Sequence, residues 1–304
     1  MRAARFDHYG DPDVLYIADV PTPKPGPGQV RIRVMAHAVN PIDWKVRSGT
    51  SPLVKQFPAG TGRDAAGVVD AVGEGVDPEL IGRSVMGLCA DGAAAEYCVL
   101  HHWADRPSAF SWAEAAAVPL AAETALRALR LADAEEGMTV LIDGASGAVG
   151  MATIHLAHYL GITVIGTCSP DNASLLRQAG AIPIGHGQWS PDELVAAGVY
   201  HVDRVLDYSG RSIPALIEVV GGQAARVIGI VDHANGPKLG ILDSISSPAT
   251  GAFDALDLAA TLAERGEYPV RLGPTFPLER VGEAQQAVHD GAQGKVVIPI
   301  GASE

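Results

Sequence analysis

The pattern of hydrophobic and polar positions divides the chain into a first part typical of β structure and a second part in which strands and helices alternate. Val30, Ile32 and Val34 fall on one face of an extended segment. Arg31 and Arg33 fall on its other face, as a half-exposed antiparallel strand requires. Further strands, separated by glycine-rich and polar turns, are expected at 67–72, 83–88 and 95–100. The first part therefore predicts a compact, barrel-like β domain.

The second part begins with an alanine-rich helical segment near Ser108, which Pro119 interrupts. From Thr139 to about Val231, strand runs alternate with helix signals. One such signal is Ser-Pro-Asp-Glu at 190–193, which supplies an N-cap, a proline at the first helical position and a capping-box glutamate. Strands are expected at 162–167, 182–184, 203–208 and 226–231, and helices at 172–179 and 213–220. This alternation predicts a parallel, doubly wound sheet.

The C-terminal part follows a different order. The expected elements are a helix at 253–265, a strand near 268–272, a helix at 278–290 and a final strand at 295–300. Because the final strand lies outside the βα series and needs a pairing partner, we expect it to return to the first domain. The expected domains are accordingly 1–118 together with 266–304, and 119–265.

A glycine turn is the most specific local motif. The apolar run 140–142 stops at Gly144, Gly147 and Gly150, spaced G-x-x-G-x-x-G, and a helix begins at once. In dinucleotide-binding βαβ units, backbone N–H groups at such a helix start receive a pyrophosphate. Glycines at a βα turn can also serve packing alone, so the motif by itself leaves both interpretations open.

Composition and charge narrow the class of protein. The chain has 304 residues, of which 47% are hydrophobic and 19% charged, which indicates a globular protein of about two domains. A net charge of −13 with scattered basic residues disfavours nucleic acid or an anionic membrane as the principal partner. The chain shows neither an apolar run of membrane-spanning length nor the apolar core of a signal peptide, so we expect a cytoplasmic protein.

The three cysteines, Cys89, Cys98 and Cys168, are far apart in the sequence and contain no C-x-x-C pair. This spacing fits neither a disulfide framework nor a structural zinc site. We therefore predict three buried thiols.

Four segments resemble the zinc-independent branch of the medium-chain dehydrogenase/reductase superfamily, the quinone oxidoreductases similar to zeta-crystallin. In the family's order they are 40–45 (NPIDWK), 62–67 (GRDAAG), the glycine turn at 144–150 and 294–298 (GKVVI). Together they extend over nearly the whole chain. The resemblance implies an α/β protein with a GroES-like β-barrel domain and an inserted Rossmann domain that carries the doubly wound parallel sheet.

The resemblance also bears on zinc. Zinc-dependent members of the superfamily have a cysteine ligand where this chain has the turn from Asn40 to Asp43, and Gly-His-Glu where it has Gly62-Arg63-Asp64. Arg63 is unsuited to zinc because its guanidinium stays protonated. We therefore expect no metal site. Without a Lewis acid, hydride adds more easily to a carbon activated by conjugation, so the resemblance implies reduction of a quinone or an α,β-unsaturated carbonyl compound.

The cofactor is expected to lie on the glycine turn, with contacts from Gly144, Ala145, Ser146, Gly147, Ala148, Val149 and Gly150. The strand after it ends without a carboxylate at its tip, and Ser169 can donate to a 2′-phosphate, so NADPH is favoured over NADH. Relatives have a lysine and a tyrosine where this chain has Asn172 and His186, and Arg177 is an alternative partner for the phosphate. Asp171 could still bind a ribose, so NADH stays open.

Further contacts are implied by position. Thr124 corresponds to a family threonine near the nicotinamide, Asp207 ends the fourth strand at the crevice, and Gly229 and Ile230 lie where the fifth strand passes the nicotinamide. Lys295 stands at the mouth of the cofactor or substrate site. The alternatives are a hydrogen bond from Thr124 within its helix, a packing role for Gly229 and mere strand completion by Lys295.

Asn40 and Asp43 are the candidate catalytic residues, lining the nicotinamide, with the Asn40 amide offered to the substrate oxygen or the cofactor. The alternative for Asn40 is a turn residue before proline. The sequence identifies no side-chain proton donor, so water is expected to protonate the enolate. Loops 49–59 and 232–247 are expected to set the substrate.

Two functions follow. The first is an NADPH-dependent reductase of a small quinone or enone. The second is an NADPH-binding structural or sensing protein with little turnover. A homodimer is expected because relatives of this family are commonly dimers.

Overall fold

The computed structural model describes residues 1–51, 53–54, 56–90, 92–245 and 251–301. Its strands are β1 (Arg2–Phe6), β2 (Tyr16–Asp19), β3 (Val30–Ala38), β4 (Ala59–Gly60), β5 (Asp64–Val72), β6 (Ser84–Cys89), β7 (Tyr97–Asp105), β8 (Thr139–Asp143), β9 (Thr163–Cys168), β10 (Ile182–Gly185), β11 (Arg204–Asp207), β12 (Val227–Gly229), β13 (Leu242–Asp243), β14 (Leu272–Thr275) and β15 (Lys295–Pro299). Its α-helices are α1 (Pro41–Ser48), α2 (Trp112–Ala116), α3 (Pro119–Leu131), α4 (Ala148–Tyr159), α5 (Ala173–Gln178), α6 (Pro191–Ala196), α7 (Ile213–Val219), α8 (Ala255–Glu264) and α9 (Val281–His289).

Two compact units divide the chain: Met1–Leu120 with Phe253–Glu304, and Ala121–Ala252. The expected second boundary lies 13 residues later than the structural one, because α8 belongs to the first unit. The Phe253 ring stacks on His102 of β7 with centroids 3.4 Å apart. Ser108 Oγ donates to Glu264 Oε2 at 2.8 Å. These contacts attach both ends of α8 to the first unit. They join residues far apart in the sequence, so no local sequence pattern predicts them.

In the first unit, a closed arrangement of antiparallel strands confirms the barrel-like β domain. The sheet order is β14-β15-β3-β5-β6-β7, and β3 also pairs with β7, so β3, β5, β6 and β7 form a ring. Val30, Ile32 and Val34 are buried while Arg33 is exposed, as the alternation predicts. Buried apolar side chains of these strands pack together in the interior of the ring, among them Ile32, Val69, Val85 and Leu100.

The final strand joins this sheet, as expected. β15 pairs antiparallel with β3, with Val297 opposite Ala38, and parallel with β14. The strand predicted near 268–272 is wrong in its position, because β14 begins only at Leu272. Pro269 has no N–H to donate to a strand ladder, which disfavours a strand that includes it. Asn40 is the N-cap of the helix α1, which has Pro41 at its first position.

In the second unit, six parallel strands in the order β10-β9-β8-β11-β12-β13 confirm the doubly wound sheet. The chain leaves β8 in one direction toward β9 and β10, and in the other toward β11, β12 and β13. Ligands of such sheets bind at the carboxyl ends of the strands where the order reverses. Here that point lies between β8 and β11.

The three cysteines are buried thiols that form no disulfide with one another, as predicted. Within the part of the chain that the structure describes, none of the helices is long and apolar enough to cross a membrane. The same residues contain no group of three or more His, Cys, Asp or Glu side chains that could hold a metal ion.

Candidate functional site

The glycine turn joins β8 to α4 and leaves the start of α4 accessible to solvent. Gly144 has φ = +87°, a conformation that residues with a Cβ rarely adopt. Gly147 is the N-cap of α4, and both Gly147 and Ala148 are exposed. The first N–H groups of a helix have no partner within the helix, and the helix dipole favours an anion there. Of the other turn residues, Ala145 and Gly150 are buried and Ser146 and Val149 half-buried.

Gly150 and Gly147 differ in how closely neighbouring atoms approach the position of an added Cβ. A Cβ at Gly150 would lie 2.4 Å from the carbonyl oxygen of Ala145, so this glycine is required for packing. A Cβ at Gly147 would meet only the carbonyl oxygen of Gly144, at 3.5 Å, which is an ordinary contact. The protein's own packing therefore does not require glycine at 147. A phosphate group lying against the helix start would.

Asp143, the last residue of β8, holds the turn in place. Its Oδ1 accepts a hydrogen bond of 2.6 Å from Thr167 Oγ1, which in turn accepts the N–H of Gly144 at 2.9 Å. Its Oδ2 accepts the hydroxyl of Ser209. Sequence reasoning missed this residue. The available signal was a carboxylate directly before Gly144, after the apolar run 140–142.

Asp207 lies at the end of β11, the neighbouring strand at the switch point. Its Oδ1 accepts the backbone N–H groups of Ser209 at 3.0 Å and Gly210 at 2.8 Å. Burial raises the pKa of this carboxyl, and these hydrogen bonds oppose the rise. The Ser209 hydroxyl also reaches Asp207 Oδ1 at 3.3 Å, so the ends of β8 and β11 are tied to one loop. Asp207 thus shapes the edge of the crevice through its backbone contacts.

Gly229, Ile230 and Thr124 lie elsewhere in the second unit. Gly229 ends β12, and a Cβ there would lie 3.0 Å from Ile241, a tight contact consistent with a packing role. The N–H of Ile230 donates to the carbonyl oxygen of Asp207 at 3.2 Å. Thr124 is buried on α3, with its hydroxyl 3.4 Å from Glu123 Oε2.

A cavity of about 450 Å³ opens at the ends of β9 and β10, where a Rossmann unit holds the adenosine. Ser169 is half-buried, lines this cavity and accepts a hydrogen bond of 3.2 Å from Asn172 Nδ2. Arg177 and His186 are exposed. Burial raises the pKa of the Cys168 thiol, and the Arg177 guanidinium opposes this rise, so its charge is felt at the end of β9.

In the first unit, Asn40, Asp64 and Lys295 form a buried network. Lys295 Nζ donates to Asn40 Oδ1 at 2.6 Å and to Asp64 Oδ2 at 3.3 Å. Asn40 Nδ2 donates to Asp64 Oδ2 at 2.8 Å and to the carbonyl oxygen of Ala38 at 3.3 Å. Asp64 Oδ1 accepts the N–H of Leu120 at 2.9 Å. These bonds join the ends of β3, β5 and β15, and they engage both polar atoms of the Asn40 amide.

Burial perturbs the acids and bases of this network. It raises the pKa of Asp64, while the Lys295 ammonium and the Asn40 amide oppose the rise. His37, whose Nδ1 lies 2.8 Å from the carbonyl oxygen of Asp64, has its pKa lowered to about 4, chiefly by burial. Burial also raises the pKa of Asp43 to about 7, against the hydrogen bond from the Asn40 N–H to Asp43 Oδ2 at 2.8 Å.

Asp43 lines a second cavity of about 320 Å³, which lies wholly within the first unit. Its walls include the apolar side chains of Val46, Leu53 and Val54 and the half-buried Arg63. The described lining therefore combines apolar and polar residues with one acidic and one basic side chain, and a concave site of this kind can hold a small molecule. Parts of the loops expected to set the substrate, at 52, 55, 246 and 247, lie outside the described residues.

Comparison with known proteins adds to this geometry. The family model of the alcohol dehydrogenase GroES-like domain matches residues 26–120. The chain is 30% identical to a quinone oxidoreductase from Pongo abelii, over 98% of this chain and 97% of that protein. It is 37% identical to a 2-methylene-furan-3-one reductase from Solanum lycopersicum, over 60% of this chain and 50% of that protein. Mycobacterial Rv1454c, solved in complex with NADPH, superposes with a TM-score of 0.77 at 27% identity, covering 99% of this chain and 100% of that one.

Proposed function

This chain belongs to the quinone oxidoreductase family of the medium-chain dehydrogenases/reductases, and we propose that it transfers hydride from NADPH to a quinone or an α,β-unsaturated carbonyl compound. The observation that carries the proposal is the open helix start at Gly147, where glycine is not needed for packing. The NADPH complex of Rv1454c supports the cofactor, and the tomato enone reductase supports the wider substrate class.

The residues present fit a dinucleotide. The pyrophosphate would lie against the N–H groups at the start of α4, with the turn held by Asp143. The adenosine end would use the cavity beside Ser169, with Arg177 near a 2′-phosphate. When bound, NADPH supplies the hydride, and the chain must hold the acceptor close to it.

Asn40 and Asp43 are the residues that we propose for the reacting end. Asn40 would act by positioning Lys295 and Asp64, since its amide already bonds both. Asp43 would contact the acceptor through the cavity that it lines. Hydride transfer moves an electron pair onto the acceptor's oxygen, which then needs a proton. Water can supply it, so the reaction does not require a side-chain acid.

The direct test mixes the purified protein with NADPH and 1,4-benzoquinone, 1,2-naphthoquinone or an enone, and follows the loss of NADPH absorbance. Multiple turnovers with at least one acceptor are expected. Tight NADPH binding without turnover on any acceptor would instead indicate the structural or sensing protein. Zinc independence is part of the proposal, because Arg63 stands at a ligand position and cannot bind zinc. Elemental analysis of the active protein tests it, and stoichiometric zinc would contradict it.

The role of the turn is tested by cofactor binding rather than turnover. Gly147→Val should leave the free energy of unfolding within about 1 kcal/mol of the parent, since its Cβ makes only an ordinary contact. It should weaken NADPH binding, measured by fluorescence, by about tenfold or more because the side chain enters the phosphate position. Unchanged binding would return the turn to a packing motif.

Preference for NADPH is proposed to depend on Arg177. Arg177→Gln should weaken NADPH binding by about three- to tenfold and leave NADH binding unchanged, because Arg177 is exposed and its interactions are screened. Equal changes for both cofactors would remove Arg177 from the phosphate site. The cytoplasmic location and the homodimer stay predictions.

A further inference from the structure

The cavity of about 320 Å³ in the first unit is lined by a charged side chain, Arg63, that has no part in the proposed hydride transfer. Among the described residues that line it, Arg63 and Asp43 are the only ionisable side chains. Asp43 is 3% exposed and accepts the N–H of Asn40. Arg63 is half-buried and directly precedes β5. The two side chains are close enough for the guanidinium to oppose the rise in the Asp43 pKa.

The Arg63 side chain makes no hydrogen bond and no ion pair within the described part of the chain, whereas several other arginines of the unit are paired with a carboxylate. Arg31 is paired with Asp70, Arg83 with Asp105 and Arg280 with Glu283. A half-buried guanidinium is costly unless an anion or an oxygen accepts its N–H groups. The guanidinium N–H groups of Arg63 are therefore available as hydrogen-bond donors to a molecule that enters the cavity.

The balance of charge in the cavity is positive. Asp43 has a pKa raised to about 7, chiefly by burial, so around neutral pH it carries only part of a negative charge. The guanidinium of an arginine side chain keeps its positive charge in proteins. The nearby His101 adds no second cation, because burial, followed by His102 and Arg63, lowers its pKa. Among the described lining residues, the cavity therefore has mixed polar and apolar walls and one fixed positive charge.

We propose that Arg63 is a specificity-determining residue and that the cavity selects acceptors carrying an anionic substituent, such as a carboxylate or sulfonate, on a quinone or enone. The guanidinium binds two oxygens of such a group with its paired N–H donors, while Val46, Leu53 and Val54 contact the ring. This inference rests on the proposed function for its reaction. It adds the chemistry by which one acceptor is preferred to another.

The test compares a neutral and an anionic acceptor of the same ring system, 1,4-naphthoquinone and 1,4-naphthoquinone-2-sulfonate, with saturating NADPH. Arg63→Gln should lower kcat/KM for the sulfonate by about ten- to a hundredfold, mainly through KM, because a charge-assisted hydrogen bond is lost. It should change kcat/KM for the neutral quinone by less than about threefold. Comparing each variant with its parent on the same acceptor removes the difference in intrinsic reactivity.

Three controls sharpen the result. Arg83→Gln removes the same charge from an exposed pair outside the cavity and should change neither acceptor. Arg63→Lys keeps the charge but loses the planar fork, so it should recover part of the sulfonate preference. NADPH binding, measured by fluorescence, should be equal in all variants, which excludes a contact between Arg63 and the phosphates of the cofactor.

The outcomes separate this inference from the proposed function. Equal losses on both acceptors, or no loss on the sulfonate, would overturn the role of Arg63 while leaving the reductase intact. If the parent protein reduces neither naphthoquinone, calorimetric binding of the unreactive naphthalene-2-sulfonate decides the inference alone, and the reductase proposal fails only if no acceptor of the direct test is reduced either. Binding that Arg63→Gln abolishes supports it, and binding that is absent or insensitive to the substitution overturns it. Circular dichroism of each variant verifies folding, and Arg63→Lys replaces Arg63→Gln if the latter does not fold.

Discussion

The glycine turn of the second unit and the buried network of the first unit show two ways of holding a functional group. At the turn, backbone geometry holds the helix start in place: Gly144 adopts φ = +87°, and Gly150 lets the helix approach Ala145. In the network, charged and amide side chains do it, with Asn40, Asp64 and Lys295 bonded to one another out of solvent. One site is sensitive to shape and the other to charge.

This difference has a consequence for how each site fails. A buried ion pair costs desolvation that its partners must offset, so removing one member leaves an uncompensated charge. A crowded turn instead fails when an added atom displaces the backbone. The network should therefore respond to substitutions that hardly change volume, and the turn to substitutions that change no charge.

The largest effect should come from Lys295→Met, which keeps the length of the side chain but leaves Asp64 without its ammonium partner. Asp64 is fully buried, so the free energy of unfolding should fall by about 3–5 kcal/mol in urea denaturation. Adding Asp64→Asn should recover part of this loss. The exposed Lys238→Met is the control, with an expected change below about 0.5 kcal/mol. A loss below 1 kcal/mol for Lys295→Met would mean that the network is not held by charge.

The next largest effect should be a pH dependence caused by Asp43. Its pKa is about 7 in the folded protein, against about 3.9 in an unfolded chain, so between these values the folded state binds more protons. Raising the pH through this window therefore destabilises the parent protein. Asp43→Asn removes this ionisable carboxyl and with it the loss of stability. The variant should therefore gain stability relative to the parent from pH 4 to pH 7, by about 4 kcal/mol at most.

The comparison with a variant is needed because His37 acts in the opposite direction. Its pKa is lowered to about 4, so the folded state binds fewer protons than the unfolded chain up to about pH 6.5. His37 therefore makes stability rise with pH over that window and partly hides the fall from Asp43. Urea unfolding of both proteins at five pH values measures the difference, and a constant difference across the range would show that Asp43 ionises normally.

A smaller effect is expected from Gly150→Val, which changes no charge. Its Cβ would lie 2.4–2.6 Å from the backbone of Ala145, so the free energy of unfolding should fall by about 1–3 kcal/mol, and NADPH binding should be lost with it. Gly147→Val is the matched control in the same turn. If both variants lost equal stability, the distinction between a packing glycine and a ligand glycine would be wrong.

The smallest effect is expected from Asp143→Asn, which keeps the shape and removes one charge beneath the turn. The hydroxyls of Thr167 and Ser209 both donate to this carboxylate, and a neutral amide accepts less strongly. Stability should fall by about 1–2 kcal/mol. The free energy of NADPH binding should become less favourable by about the same amount, because the turn loses its orientation. Thermal unfolding with and without NADPH measures both changes. An unchanged affinity would show that the glycines hold the turn without Asp143.

Local patterns in the sequence predicted much of the fold. Alternation at 30–34 predicted the exposed and buried faces of β3, and the glycine spacing after β8 predicted the βα turn. Both depend on neighbours within a few residues, where periodicity and backbone conformation are dictated by residue type. The position of β14 was missed, because a strand's start depends on the partner it pairs with as well as on its own residues.

The candidate site was predicted less completely. The sequence and its family resemblance predicted its members: the glycine turn, Asn40, Asp43 and Lys295. Only the tertiary structure decided what they touch. Lys295 bonds Asn40 from 255 residues away, and Asp143 is joined to Ser209 of the loop after β11. The Arg63 side chain lines a cavity without a partner among the described residues. Hydrogen bonds and burial depend on distances in space, and the packing of the folded chain alone brings such distant residues within reach.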